Sequence, residues 1–218
     1  MTIRHHPSDE TLARHAAGRL EAGPSLVVET HLAGCPACHA RVAEFAALGG
    51  AILAELPPTP MAPDALARTL AMIDPPRAAR AASRARPAPS PPPGGMPLPA
   101  PLHACEIGRW RWLAPGIRWS RVRLPQDAGA NVVLLRVGPD RKLPEHGHTG
   151  TEFVQVLVGS FTDGSEHFLP GDLAEADAEI EHQPRVGLDG ECICLIAMQG
   201  RMRLRGLIGR MLQPFIGI

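Results

Sequence analysis

The run THLAGCPACHARV, residues 30–42, sets His31, Cys35 and Cys38 at the spacing His-x3-Cys-x2-Cys. Thiolate and imidazole are the donors that zinc prefers in a tetrahedron. His31 and Cys35 lie one helical turn apart at a helix C-terminus. Cys35 and Cys38 straddle the turn that opens the next helix, where backbone N–H groups favour thiolate. Three such donors can converge on one ion, and a fourth must come from elsewhere. His5 and His6 are the candidates, because the first helix can fold back on this hairpin; His15, mid-helix, and His39, beyond Cys38, are less well placed. A CxxC redox pair is the competing reading, but no βαβ pattern surrounds it and no second CxxC completes a zinc ribbon. Four protein donors leave no open position, so such a site is structural.

A second constellation, His146-x-His148-x3-Glu152, has different donors. Alternate residues of a strand share a face, so His146 and His148 project together, and Thr149-Gly150 can turn the chain to bring Glu152 beside them. A further ligand is expected from a later strand: His182 is the best placed and His167 competes with it. Three imidazoles and a carboxylate suit Zn²⁺, Fe²⁺, Mn²⁺ or Ni²⁺, with Zn²⁺ as the working expectation. Cys192-Ile193-Cys194 puts two thiols on one face of a strand, either near that metal or as small apolar fillers, and filler is the preferred reading. Cys105 carries no functional assignment.

These donors need two kinds of scaffold. Pro7-Ser8-Asp9-Glu10 reads as a helix start with a polar cap and acidic first turn. That helix is expected to reach about Leu20 and stop near Gly23-Pro24, with a second running from about Ser25 to Gly34. A third starts near Pro36 and carries Val42, Phe45, Leu48, Ile52 and Leu56 as one apolar stripe. After LPPTPMAP, a short fourth helix spans Asp64 to Ile73. Residues 75–101, PPRAARAASRARPAPSPPPGGMPLPAP, are rich in Pro, Ala and Arg and read as a semi-rigid linker. Its Arg77, Arg80, Arg84 and Arg86 are solvating side chains in preference to a nucleic-acid patch. Beyond it the pattern is β: Trp119–Leu124, Asn131–Val137, Phe153–Val158 and Cys192–Ala197, separated by Gly, Pro and Asp turns, suggest a small antiparallel barrel or sandwich. Trp110, Trp112 and Trp119 are expected in core or lip packing, and the arginine-bearing tail from Arg201 either covers a barrel end or is loosely ordered. The expected units are residues 1–76, helical; 77–101, linker; and 102–218, all-β.

Composition excludes some functions. Lys and Arg total 22 against 22 Asp and Glu, so bulk electrostatic attachment to nucleic acid or anionic lipid is not expected. Five cysteines, placed as CxxC, one alone and CxC, suit metal ligands or free thiols better than a disulfide framework. No secretory signal is read at the N-terminus and no apolar run is read as a membrane span, so the expected compartment is the cytoplasm.

The first constellation resembles the zinc anti-sigma domain, on His31-x3-Cys35-x2-Cys38, the N-terminal His6, and three helices followed by a detached fourth. That resemblance implies His6, and not His5, as fourth zinc ligand, with the fourth helix part of a sigma-binding surface. Residues 146–159, with His146-Gly147-His148, Glu152 and Gly159, are similar to the first motif of a cupin barrel. The second motif departs from the family pattern: Pro170-Gly171-Asp172 is present, but the histidine arrives late, as His182. Together the two halves resemble the ChrR-type anti-sigma factors. The resemblance implies a two-domain α + β protein, a zinc-bound helical bundle joined to an all-β cupin. It implies one-to-one binding and inhibition of a group IV (extracytoplasmic-function) sigma factor, without direct nucleic-acid or membrane contact. The cupin is then needed for release in the response to singlet oxygen or related oxidative stress. The competing reading is a metal-dependent cupin enzyme, of dioxygenase or isomerase type, with a partner-binding N-terminal domain. It needs an open metal position and a general base, and no such base can be placed from sequence, so the expectation is a non-enzyme.

Overall fold

The computed structural model describes residues 2–73 and 97–204; the four linker arginines and the tail beyond residue 204 lie outside the described residues. Four helices come first: α1 Asp9–Ala16, α2 Ala22–Leu32, α3 Pro36–Glu55 and α4 Ala65–Ile73. The Ser8 side chain caps α1 by accepting from the Thr11 N–H at 3.3 Å. Gly18, at φ +63°, turns the chain out of that helix. Gly23-Pro24 was expected to stop the first helix and instead lies in the first turn of α2. Proline costs nothing there, since its missing N–H would have no intrahelical partner.

Helix α3 has the length and apolar composition to cross a membrane, against the expectation of no such run. Its many alanines raise its mean hydropathy without adding large side chains. Its first half is tied to α1, where Arg41 grips both carboxylate oxygens of Asp9 at 2.9 and 2.6 Å. Its second half exposes Leu48, Ile52, Leu53 and Leu56, and α4 exposes Leu66 and Leu70.

A 3-10 turn at Ala100–Ala104 leads into twelve short strands among the described residues. They are β1 Glu106–Ile107, β2 Arg111–Ala114, β3 Ile117–Arg123, β4 Val132–Val137, β5 His146–His148 and β6 Glu152–Val158. There follow β7 Phe161–Asp163, β8 Glu166–Phe168, β9 Leu173–Ala176, β10 Arg185–Val186, β11 Cys192–Met198 and β12 Met202–Leu204. All pairings are antiparallel, the main sheet running β1-β3-β4-β11-β6-β9 with β2 on β3. Smaller sheets β10-β7-β8 and β12-β5 complete the barrel. Near the start of the tail, Met202–Leu204 thus forms an edge strand against the histidine strand β5.

Both faces of the main sheet are covered, which explains why β11, CICLIAM, reads as a continuous apolar run. Cys192, Cys194 and Ile196 face the barrel interior. Leu195 and Ala197 point outward into a core shared with Leu26 and Val27 of α2. Val28, on another side of the same helix, packs with Leu12, Cys35 and Cys38. Helix α2 is therefore buried on most of its sides because it lies between the helical unit and the barrel. Burying Leu26 and Val27 contributes roughly 3–6 kcal/mol to holding the two together. Trp110 packs at the margin of this core. Trp112, expected in packing, is exposed on edge strand β2 and lies beneath the Arg118 guanidinium, 4.1 Å from the ring centre.

Candidate metal centres

The end of α2, the start of α3 and the segment before α1 bring His31, Cys35, Cys38 and His6 together, with ligand atoms within 4.8 Å of one another. His6 Nδ1 stands 3.4 Å from Cys35 Sγ and 3.3 Å from Cys38 Sγ. Donors on one tetrahedral zinc are separated by roughly 3.6 Å, given Zn–S and Zn–N bonds of about 2.3 and 2.0 Å. His31 is fully buried, and its Nδ1 bonds the Gly171 carbonyl at 2.9 Å. A carbonyl only accepts, so Nδ1 carries the proton and the Nε2 lone pair is free. That Nε2 is buried without a hydrogen-bond partner, as expected of an atom whose partner is an ion. Burial holds the His31 imidazole below its ordinary pKa, in the neutral form a metal requires. Burial, followed by the neighbouring Cys35 thiol, pushes Cys38 up to about 12. Two thiolates so close need a cation to coexist.

Of the other histidines considered, none joins this cluster. His5 points the opposite way, stacking on Phe168 with 4.3 Å between ring centroids and meeting Glu166 at 3.3 Å. His15 bonds Ser25 at 3.0 Å, and His39 is exposed.

The barrel gathers His146 and His148 from β5, Glu152 from the start of β6, and His182 from the loop before β10. His182 reaches them because its backbone pairs with His146 in both directions, at 3.1 and 3.0 Å. His167 is exposed on β8 and takes no part. His146 Nδ1 donates to the Pro144 carbonyl at 2.8 Å, and His182 Nδ1 lies 2.5 Å from Asp163. Their Nε2 atoms consequently face each other at 3.1 Å. Two bare lone pairs at that distance repel, so either a proton or a metal ion sits between them. Glu152 Oε2 lies 3.4 Å from His148 Nε2 and 3.6 Å from His182 Nε2, and His148 Nε2 has no aligned hydrogen bond.

The charges point the same way. Burial, then the neighbouring histidines, pulls His148 down to about 4, and burial raises Glu152 to about 7. Burial also lowers His146. For His182, burial is outweighed by the Asp163 bond and by the Glu152 and Asp163 charges, leaving it raised. Without a cation this cluster holds protons against its own chemistry, and metal binding would expel them. Asp163, which fixes the His182 ring, was not singled out in the sequence. Cys192 and Cys194, 3.6 Å apart, line the barrel interior without belonging to the donor cluster.

The two clusters are joined through the loop before β9. Asp172, almost wholly buried, accepts from the Arg4 and His5 N–H groups at 2.7 and 3.1 Å through one oxygen and from Leu169 N–H at 2.8 Å through the other. Leu173 N–H donates to the His5 carbonyl at 3.1 Å. The preceding Gly171, whose carbonyl orients His31, has φ +98°, and a Cβ there would lie 2.8 Å from Ile3. One barrel loop therefore holds two ligands of the helical site: His31 directly and His6 through its neighbours. Such outer contacts set the tautomer and orientation of metal ligands. The same N-terminal segment borders a cavity of 820 Å³ in the barrel, lined by Arg4 and His5 as well as by His146, Glu152 and His182.

A family described as the ChrR Cupin-like domain matches residues 102–201. Over 222 aligned residues spanning all of both chains, the sequence is 38% identical to the anti-sigma-E factor ChrR of Cereibacter sphaeroides. The fold is similar to the crystal structure of Rhodobacter sphaeroides SigE in complex with the anti-sigma ChrR. The TM-score is 0.70 and the identity 35%, over 91% of this chain and all of that one.

Proposed function

The chain belongs to the family of ChrR anti-sigma factors, and from that premise we propose that it binds and inhibits an extracytoplasmic-function sigma factor in the cytoplasm through its helical half. The observation that carries this reading is the apolar surface of α3 and α4. Leu48, Ile52, Leu53, Leu56, Leu66 and Leu70 are each more than half exposed. Large apolar side chains exposed in such number mark a protein partner. In this reading His6, His31, Cys35 and Cys38 hold zinc, which locks the α2–α3 hairpin and so fixes the angle at which the apolar face is presented. His146, His148, Glu152 and His182 hold a second divalent ion, for which zinc is our assignment. The ligand set is our reading of the donor chemistry, supported by the buried His31 Nε2, which has no hydrogen-bond partner, and by the convergence of the His146, His148, Glu152 and His182 donor atoms.

The barrel serves release. Because it holds His6 and His31 in place, a change at the barrel reaches the helical domain through the loop Leu169–Asp172. We assign singlet oxygen or a related oxidant as the trigger. The full chain is used in the test, since α2 shares its core with the barrel. Co-expression with each extracytoplasmic-function sigma factor of the source cell should give one stable one-to-one complex. Changing Cys35 and Cys38 together to Ser should abolish it. Changing His146 and His148 to Ala should leave capture intact and remove stress-induced release. Capture that survives loss of zinc would overturn the proposal.

A further inference from the structure

One polar side chain interrupts the apolar seam between the barrel and the helices. On β6, Glu152 and Val154 face the barrel interior, while Phe153 faces outward into the core shared with α2. Gln155 is on the Phe153 side of the strand, and its partners across the sheet, Leu173 and Leu195, both belong to that core. It is 3% exposed, and its Oε1 is buried without a hydrogen-bond partner. A buried polar atom in that state lowers stability, and an apolar side chain of similar size would avoid the cost. Packing therefore gives no reason for a glutamine at this position.

His31 supplies one. The Gln155 carboxamide is within hydrogen-bonding reach of the His31 imidazole, yet no aligned bond joins them, and His31 Nε2 is buried and unpartnered as well. The other ring nitrogen is already fixed, since Nδ1 donates to the Gly171 carbonyl. Gly171 is in turn held by β6, its N–H donating to the Val156 carbonyl at 3.0 Å. Two adjacent residues of one strand thus attend to the same imidazole, Val156 through Gly171 and Gln155 directly. With zinc on Nε2 that lone pair is taken, and the carboxamide has nothing on the ring to bond. With zinc gone the lone pair is bare, and a turn about the last side-chain torsion of Gln155 brings an amide N–H to it.

We propose that Gln155 is the alternate partner of His31, a positioning residue that takes over Nε2 when zinc leaves and keeps the ring docked on the barrel. This rests on the reading of His6, His31, Cys35 and Cys38 as a zinc centre. Gln155 then weakens the zinc-loaded state, where its oxygen is unpaired, and strengthens the zinc-free one. The centre exchanges its metal instead of trapping it, and α2 keeps its seat on the sheet meanwhile.

Cobalt titration of the full chain reads this centre separately from the barrel donors, because thiolate ligands give a sulfur-to-cobalt charge-transfer band and imidazole and carboxylate do not. Gln155→Leu and Gln155→Met each remove the alternate bond and the unpaired oxygen together. Both should bind cobalt, and zinc competing against it, about 10- to 100-fold more tightly than wild type. Stripped of metal, both should unfold at a lower temperature than stripped wild type; loaded with zinc, neither should fall below loaded wild type. A residue that only supports the fold would instead weaken metal binding and lower both temperatures. Metal binding unchanged or weaker in the variants, metal-free unfolding at the wild-type temperature, or failure of both variants to fold with zinc would each overturn the proposal. Absence of the charge-transfer band from wild type at any cobalt concentration refutes the zinc centre beneath it.

Discussion

Replacing Asp172 by Asn preserves size and removes one charge and one acceptor. The carboxylate serves three N–H groups, two through one oxygen and one through the other. An amide can keep its carbonyl towards Arg4 and His5, but its NH₂ then faces the Leu169 N–H, donor against donor. Two charge-assisted bonds become neutral ones, at about 1 kcal/mol each, and one buried N–H loses its partner at about 1–3 kcal/mol. The sum, about 3–5 kcal/mol, corresponds to a drop in Tm on the order of 10 °C for a chain of this length. Because the loop also places His6 and His31, zinc release to a chromogenic chelator should accelerate about 10- to 100-fold. The dependence on pH has a definite sign. Burial pushes the Asp172 carboxyl up, but its bonds to the backbone outweigh burial and hold it below its ordinary value. A depressed carboxyl stabilises fully above its unfolded pKa of about 3.9, and that contribution is lost as pH falls through the folded value. The stability gap between wild type and variant should therefore be constant from pH 5 to 8 and close below about pH 4. Glu175→Gln, whose carboxylate meets the Ser8 N–H at an exposed site, is the control and should change little. A gap that widens towards acid, or unchanged Tm and zinc release, would refute the reasoning.

Asp163→Asn removes the carboxylate that orients His182; metal in the barrel should become about 10- to 100-fold easier to extract, with one equivalent retained by the helical site in a metal assay. Leu26→Ala opens a void between α2 and the sheet and should cost about 2–4 kcal/mol by urea denaturation, with both metal sites loosening in one transition. Leu48→Asp together with Ile52→Asp alters only exposed positions, so sigma capture should be lost in a pull-down while metal content and Tm stay as in wild type.

What was legible in the sequence were local spacings. His31, Cys35 and Cys38 are close in the chain, and helix geometry alone brings them together; His146 and His148 converge because a strand repeats every second residue. The four long strands were readable because their apolar runs are bounded by turn residues. His182 was legible as a late histidine, but its seating depends on a backbone bridge to His146 across the barrel. The short strands β1, β7, β8, β10 and β12 have two or three residues each, too few for any periodicity. The join between the two halves was not legible at all. Asp172 meets Arg4 and His5 across more than 160 residues, and nothing in Pro170-Gly171-Asp172 distinguishes a barrel turn from one that also clamps a distant segment. Helix α2 carried a sign of the join in Leu26-Val27-Val28, three consecutive apolar residues that no single helix face can hold.

The shared core of α2 and β11 has a consequence for synthesis on the ribosome. Helix α2 leaves the exit tunnel early, while β11, against which Leu26 and Val27 pack, is among the last strands made. At bacterial elongation rates of roughly 5–20 residues per second, the interval is on the order of 10–30 s. During that time the metal hairpin can close, and the apolar helical face is already exposed. For that interval a newly made chain presents its apolar helical face before the barrel is complete. The surface for a partner would be available before the barrel that packs against α2, in an order written into the chain from N-terminus to C-terminus.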